Sequence, residues 1–185
     1  VFEWLEKSVK TADPEAREKM HNASTMAGMA FANAFLGMSH SMAHKIGAVH
    51  HTVHGRTNAI LLPYVIRYNG TRPSKTTTWP KYNYWKADEK FQDIARMLGL
   101  PHSTPEEAVE AYAKAVYDLG VAVGIKMNFK DQGIDEKAWK DSLHEIALLA
   151  YEDQCSPANP RLPMVADMEE IMADAYYGYA ERPGR

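Results

Sequence analysis

Cysteine is almost missing from this 185-residue chain. Cys155 stands alone, so no intramolecular disulfide can form, and such usage fits a reducing compartment; a cytoplasmic location is expected. A basic surplus is missing too. Lys and Arg number 21 against 24 Asp and Glu, for a net charge of -3, which leaves no electrostatic footprint for nucleic acid. No charged-then-apolar leader pattern opens the chain. Nothing alternates with period two for long enough to propose a sheet, and there are neither internal repeats nor low-complexity tracts.

Between His21 and His44 charge itself is absent: no Lys, Arg, Asp or Glu occurs there. The length approaches the ~20 residues of a membrane-spanning helix. Yet Leu36 is its sole Leu, Ile or Val, and Asn22, Asn33, Ser39, Ser41 and three histidines interrupt it. Ala, Gly and Met dominate instead. The expectation is no membrane span but a helix buried in protein, approached closely by neighbours because its side chains are small.

What is present is helical periodicity. A chain of this length can bury one sizeable core. Phe2, Leu5 and Val9 fall on one helical face from the first residue, and there is no initiator Met, so a piece of a longer protein is expected. Asp13-Pro14-Glu15 is a helix start, with a cap, Pro at the first position and an acid in the first turn; that helix should run to about Leu36. A second helix carries His40 and His44 and ends near Gly47 or Val49. A third is expected from Gly55 to Tyr68, kinked at Pro63. After a loop-like segment from Asn69 to Tyr84, helices should resume over Lys86–Leu98, Pro105–Gly120 with a Thr104/Glu107 capping box, Glu136–Tyr151 and Ala166–Tyr179. The expected fold is all-α, a bundle of about seven helices.

Five of the eight histidines fall between His40 and His54, in the run GMSHSMAHKIGAVHHTVHG. Imidazole is a common ligand for divalent transition metals and titrates near neutrality. Core packing explains such a knot poorly, because every buried imidazole needs a hydrogen-bond partner. His40 and His44, four residues apart, share a helical face in a chelating geometry. After a break at Gly47, a returning chain could bring His54 to the same point. His50 and His51 are adjacent, so a regular helix cannot turn both to one site; they are expected to be structural or solvent-facing. Imidazoles with a carboxylate and open positions suit Fe(II) or Zn, and one distant Cys argues against a thiolate site. No Asp or Glu lies four residues before any His, so the site is incomplete on spacing alone.

The string GMSHSMAHKIG-(x6)-HGRTNAILLPYVIRYN, from Gly37 to Asn69, resembles the iron-containing (group III) alcohol dehydrogenases. So does a second block, Asp153-Gln154-Cys155-Ser156-Pro157-Ala158-Asn159-Pro160-Arg161, and the run Ala27-Gly28-Met29-Ala30-Phe31-Ala32-Asn33 fits as well. With the Trp/Tyr-rich insert at 79–85, the chain looks most like the alcohol dehydrogenase half of the bifunctional aldehyde-alcohol dehydrogenases of fermenting bacteria.

That resemblance implies a helical C-terminal half of an enzyme whose N-terminal α/β domain binds NAD, with the metal in the cleft between the two. By motif position His40 and His54 match two of the family's four ligands to the metal, Fe(2+) with Zn as the alternative, and an Asp-x-x-x-His pair upstream of Val1 would supply the rest. Spacing alone favours His40 and His44 as the pair. The family pattern instead sets His44 beside the metal, near the cofactor and in the proton path. Phe31, Leu36 and Cys155 match positions lining the substrate pocket. The implied activity is NADH-linked interconversion of a short aldehyde, acetaldehyde foremost, and its alcohol, with the isolated piece inactive. Two alternatives stand beside it. One is a module for homo-oligomer or filament assembly, for which Trp79, Tyr82, Tyr84 and Trp85 could be an interface cluster rather than a staple for their loop. The other is a zinc-dependent polyol dehydrogenase or lactaldehyde reductase.

Overall fold

The computed structural model describes residues 1–73 and 85–178. Trp79, Tyr82 and Tyr84 lie outside those residues. Among the described residues there is no strand. The described residues form eight α-helices: α1 (Leu5–Thr11), α2 (Pro14–Ala34), α3 (Met38–His50), α4 (His54–Gly70), α5 (Ala87–Met97), α6 (Pro105–Ala122), α7 (Glu136–Tyr151) and α8 (Val165–Tyr177), with a 3-10 turn at Ser156–Ala158. The all-α expectation holds, and no helix among them is long and apolar enough to cross a membrane.

The helix starts follow from local chemistry. Asp13 Oδ1 accepts from the Ala16 N–H at 2.9 Å, and Asp135 Oδ1 does the same for Ala138 at 2.9 Å. Thr104 Oγ1 accepts from the Glu107 N–H at 3.2 Å, while Glu107 Oε2 accepts from the Ser103 N–H at 2.7 Å. The box therefore closes one residue further out than its usual form. Pro63 sits buried inside α4, which continues past it.

α4 is the spine of the bundle. Its Ile60, Leu61, Tyr64 and Val65 enter the main core with Met38, Met42 and Ile46 of α3, Ile146 and Ala147 of α7, and Met168 and Met172 of α8. Trp139 is sandwiched there, with ring centroids 4.9 Å from Phe129 and 5.2 Å from Tyr176. On its other side α4 contributes Ile66 to a smaller cluster with Val109 and Ala113. Trp85 Nε1 donates to Asn69 O at 3.2 Å, tying Trp85 to the end of α4.

The expected burial of the uncharged stretch fails for α2. Ala16 is its sole buried residue, and Met26, Met29 and Phe31 are 64 %, 59 % and 47 % exposed. Small side chains permit close approach, but they create no neighbour. Among the described residues α1 is the helix that α2 chiefly packs against. α2 also ends earlier than expected, at Ala34, where Phe35 turns left-handed (φ 65°) and its N–H still reaches Phe31 O. Leu36 thus falls in the link between α2 and α3.

Candidate metal and proton-transfer site

α3 and α4 form a helical hairpin, and its turn is built by two threonines. Thr57 Oγ1 donates to Val53 O at 3.0 Å and accepts from Thr52 Oγ1 at 2.7 Å, while His51 closes α3 in a left-handed conformation. His40 and His44 sit on one face of α3, and His54 is the first residue of α4. Ring centroids lie 5.4 Å apart for His40 and His54, 5.2 Å for His44 and His54, and 6.3 Å for His40 and His44. The three imidazoles therefore form one cluster between α3 and the start of α4, His40 and His44 half-buried and His54 exposed. His50 and His51 are turned away: His50 bonds Ser142 Oγ at 3.0 Å and packs on Trp139, and both line a separate cavity with Arg56 and Phe129.

Each imidazole is prepared differently. Burial pushes the His40 pKa down, and the charges of His54 and His44 push it further, so the neutral, metal-ligating form is favoured. His54 Nε2 accepts from Asn58 Nδ2 at 3.1 Å, and Ser39 Oγ donates to Asn58 Oδ1 at 2.9 Å, which fixes the way the amide faces. His44 Nδ1 lies 3.2 Å from Asp153 Oδ2. A carboxylate can only accept, so Nδ1 carries the proton.

Asp153 belongs to a loop that sequence spacing could not bring to this site. Its Oδ2 also takes Lys45 Nζ at 2.9 Å, and its Oδ1 accepts the Cys155 N–H at 3.0 Å. Burial pushes the Asp153 carboxyl up, but those donors together hold it at about 2. Cys155 is buried, and its thiol is pushed up by burial and then by Asp153. One donor from each of His44, Asp153 and Cys155 lies within 4.8 Å of the others.

The loop is anchored to α3 at two further points. Ser156 Oγ lies 3.0 Å from the buried Ser41 Oγ. Asn159 caps α3 from a distance: its Oδ1 accepts the Met38 N–H at 3.2 Å, while its Nδ2 donates to Asn69 Oδ1 at 2.7 Å and Arg161 O at 2.6 Å. Gly37 is required beneath it, since a Cβ there would sit 2.7 Å from Asn159 Oδ1. Of the three residues expected to line a pocket, Cys155 thus sits against His44, Leu36 is half-buried in the α2–α3 link, and Phe31 is exposed on α2.

Two imidazoles from two helices fit part of a divalent metal's ligand set. The chemistry of the set suits Fe(II) or Zn, which take imidazole nitrogen with carboxylate oxygen. A four-coordinate centre needs donors beyond His40 and His54.

The model of the Fe-containing alcohol dehydrogenase family, C-terminal part, matches residues 1–176. An aldehyde-alcohol dehydrogenase of Streptococcus pneumoniae serotype 2 is 80 % identical over all of this chain, which spans 21 % of that protein. Among solved structures, a 1,3-propanediol oxidoreductase superimposes with a TM-score of 0.80 at 32 % identity, over 95 % of this chain and 42 % of that one. An iron-containing alcohol dehydrogenase from Thermococcus thioreducens gives 0.77 at 34 % identity, over 96 % and 41 %. The chain thus spans about a fifth of the bifunctional relative and less than half of the single-function structures.

Proposed function

The chain belongs to the Fe-containing alcohol dehydrogenase family, and from that premise we propose that it is the helical, metal-binding half of an NAD-linked alcohol dehydrogenase within a bifunctional aldehyde-alcohol dehydrogenase. Its reaction is the interconversion of a short aldehyde, acetaldehyde foremost, and the primary alcohol. The observation that carries this reading is the convergence of His40, His44 and His54 from two helices, with centroids 5.2 to 6.3 Å apart.

His40 and His54 would hold two positions of the metal, His54 by exchanging the Asn58 hydrogen bond at Nε2 for the cation, and an N-terminal domain of the same polypeptide would supply the remaining donors and the NAD site. The bound metal would supply Lewis-acid polarisation of the carbonyl, and the nicotinamide would supply the hydride. His44 is left unligated and moves the proton between the substrate oxygen and solvent. Cys155, beside it, narrows the pocket as a small buried thiol, with Leu36 and Phe31 completing the wall when α2 is covered. The uncharged, exposed run of α2 supports such a cover.

The test is His40→Ala and His54→Ala, each in the full-length enzyme. Bound metal should fall from stoichiometric to trace by elemental analysis, and NADH-dependent acetaldehyde reduction should fall by at least about 100-fold. The 185-residue chain alone should show no turnover. Variants that keep both metal and activity refute the assignment.

A further inference from the structure

We propose that Asp153 is a positioning residue for His44, fixing its tautomer and orientation so that Nε2 is the atom that exchanges a proton with the substrate. The inference rests on the proton-transfer role given to His44 above and adds the residue through which that role is exercised. It stands on geometry. Asp153 Oδ2 lies 3.2 Å from His44 Nδ1 across 109 positions of sequence. Its side chain is 7 % exposed, so the carboxylate is shielded from water even though the His44 ring is 36 % exposed. The carboxylate is not free to turn toward a substitute: Lys45 Nζ fills a second place on Oδ2 at 2.9 Å, and the Cys155 N–H holds Oδ1 at 3.0 Å.

With Nδ1–H committed to Asp153, the neutral ring presents its lone pair at Nε2. In alcohol oxidation the O–H proton passes to Nε2, and the resulting imidazolium keeps its Nδ1–H on the carboxylate until Nε2 releases a proton to solvent. Reduction runs the same path backwards, with no change in the number of protons on Nδ1. The opposite tautomer would place N–H at Nε2 and could not accept. An acid that holds a histidine in the correct tautomer is a known way to sustain general acid–base catalysis.

The trio His44, Asp153 and Cys155 could be taken for a second cation site, because the donor atoms lie within 4.8 Å of one another. The hydrogen bonds decide against it. The Lys45 ammonium already occupies the carboxylate, and a metal would have to displace one cation and the proton on Nδ1 as well. Lys45 and the Cys155 N–H instead keep Asp153 ionised and still, and its carboxyl is held at about 2.

Asp153→Asn in the full-length enzyme tests this. The amide keeps the shape but removes the charge that supports the His44 imidazolium, and its single acceptor oxygen cannot serve both the Lys45 and His44 side and the Cys155 N–H. We expect kcat for acetaldehyde reduction to fall roughly 100-fold, with the aldehyde KM and bound metal near the parent values. Asp153→Ala supplies a readout that is not activity: in its crystal structure the His44 ring should leave the near-parallel stack on His54, now at 12°, and formate should restore part of the lost kcat. Should Asp153→Ala fail to fold, the Asn variant still decides. An Asn variant with unchanged kcat overturns the assignment and leaves the metal reading intact. An Asn variant that loses its metal overturns it as well, because Asp153 would then serve the metal rather than His44. Failure of the metal reading is seen separately, in His40→Ala retaining metal.

Discussion

Removing the Asn159 side chain should unfasten the N-terminus of α3, and the cost follows from its partners. Asn159→Ala removes three hydrogen bonds, at 2.6, 2.7 and 3.2 Å, and a long fourth one from Asn69 Nδ2 at 3.4 Å that adds little. At roughly 1 kcal/mol net for each, they contribute about 3 kcal/mol. The side chain is 1 % exposed, so the Met38 N–H and Asn69 Oδ1 are left with little access to water. Orphaning buried polar groups raises the total to about 4 kcal/mol. For a domain of this size the melting temperature moves about 2 to 4 °C per kcal/mol. Thermal unfolding of the chain followed by circular dichroism should therefore show a fall of about 8 to 16 °C. Asn159→Asp should do no better, since it sets a carboxylate against the Asn69 and Arg161 oxygens that now accept from Nδ2. Gly37→Ala provides an internal check. Its Cβ would meet Asn159 Oδ1 at 2.7 Å in the parent, so it should cost less once residue 159 is Ala. A fall below about 3 °C for Asn159→Ala, or additive costs in the double mutant, would refute the view that this one amide caps α3.

Two glycines should respond to alanine with opposite sign. At Gly70 a Cβ would lie 2.5 and 2.7 Å from the stiff Val109 methyls, so Gly70→Ala should lower stability to urea by about 1–3 kcal/mol; at Gly28 of α2 nothing lies within 4 Å, and Gly28→Ala should raise it by up to about 1 kcal/mol. Equal signs in denaturation would contradict the packing described. Acid sensitivity should trace to Asp153, whose folded pKa lies near 2 against 3.8 ordinarily. Depressed in the fold, it contributes stability that is whole above about 4 and lost as pH falls toward 2, about 2 kcal/mol in all. Asp153→Asn should flatten the stability–pH curve in that window and nowhere above it.

Local chemistry made most of the helices legible. Asp13-Pro14 and Thr104-Pro105 announced their own caps, and the apolar spacing of α6 and α7 needed no tertiary information. The histidine cluster was legible too, because His40 and His54 are fourteen residues apart and a single turn joins them. What could not be read was everything contributed across long separations. A search for an acid beside a histidine looks along one helix, whereas Asp153 reaches His44 from 109 residues away and Asn159 reaches Met38 from 121. Both residues were visible as parts of a family-like block, but the block carried no statement of which atoms they would touch. Burial of α2 was misjudged for a related reason. Composition describes what a helix can tolerate against it, and whether anything lies there is decided elsewhere.

The hairpin of α3 and α4 has a kinetic consequence. All three clustered imidazoles arrive within one pair of consecutive helices, so their meeting requires closing only a very short loop, an event of low entropic cost and microsecond timescale. The contacts from Asp153 and Asn159 must wait for α7 and the segment after it. The His40 and His54 rings can therefore find each other early in folding, whereas Asp153 reaches His44 among the last.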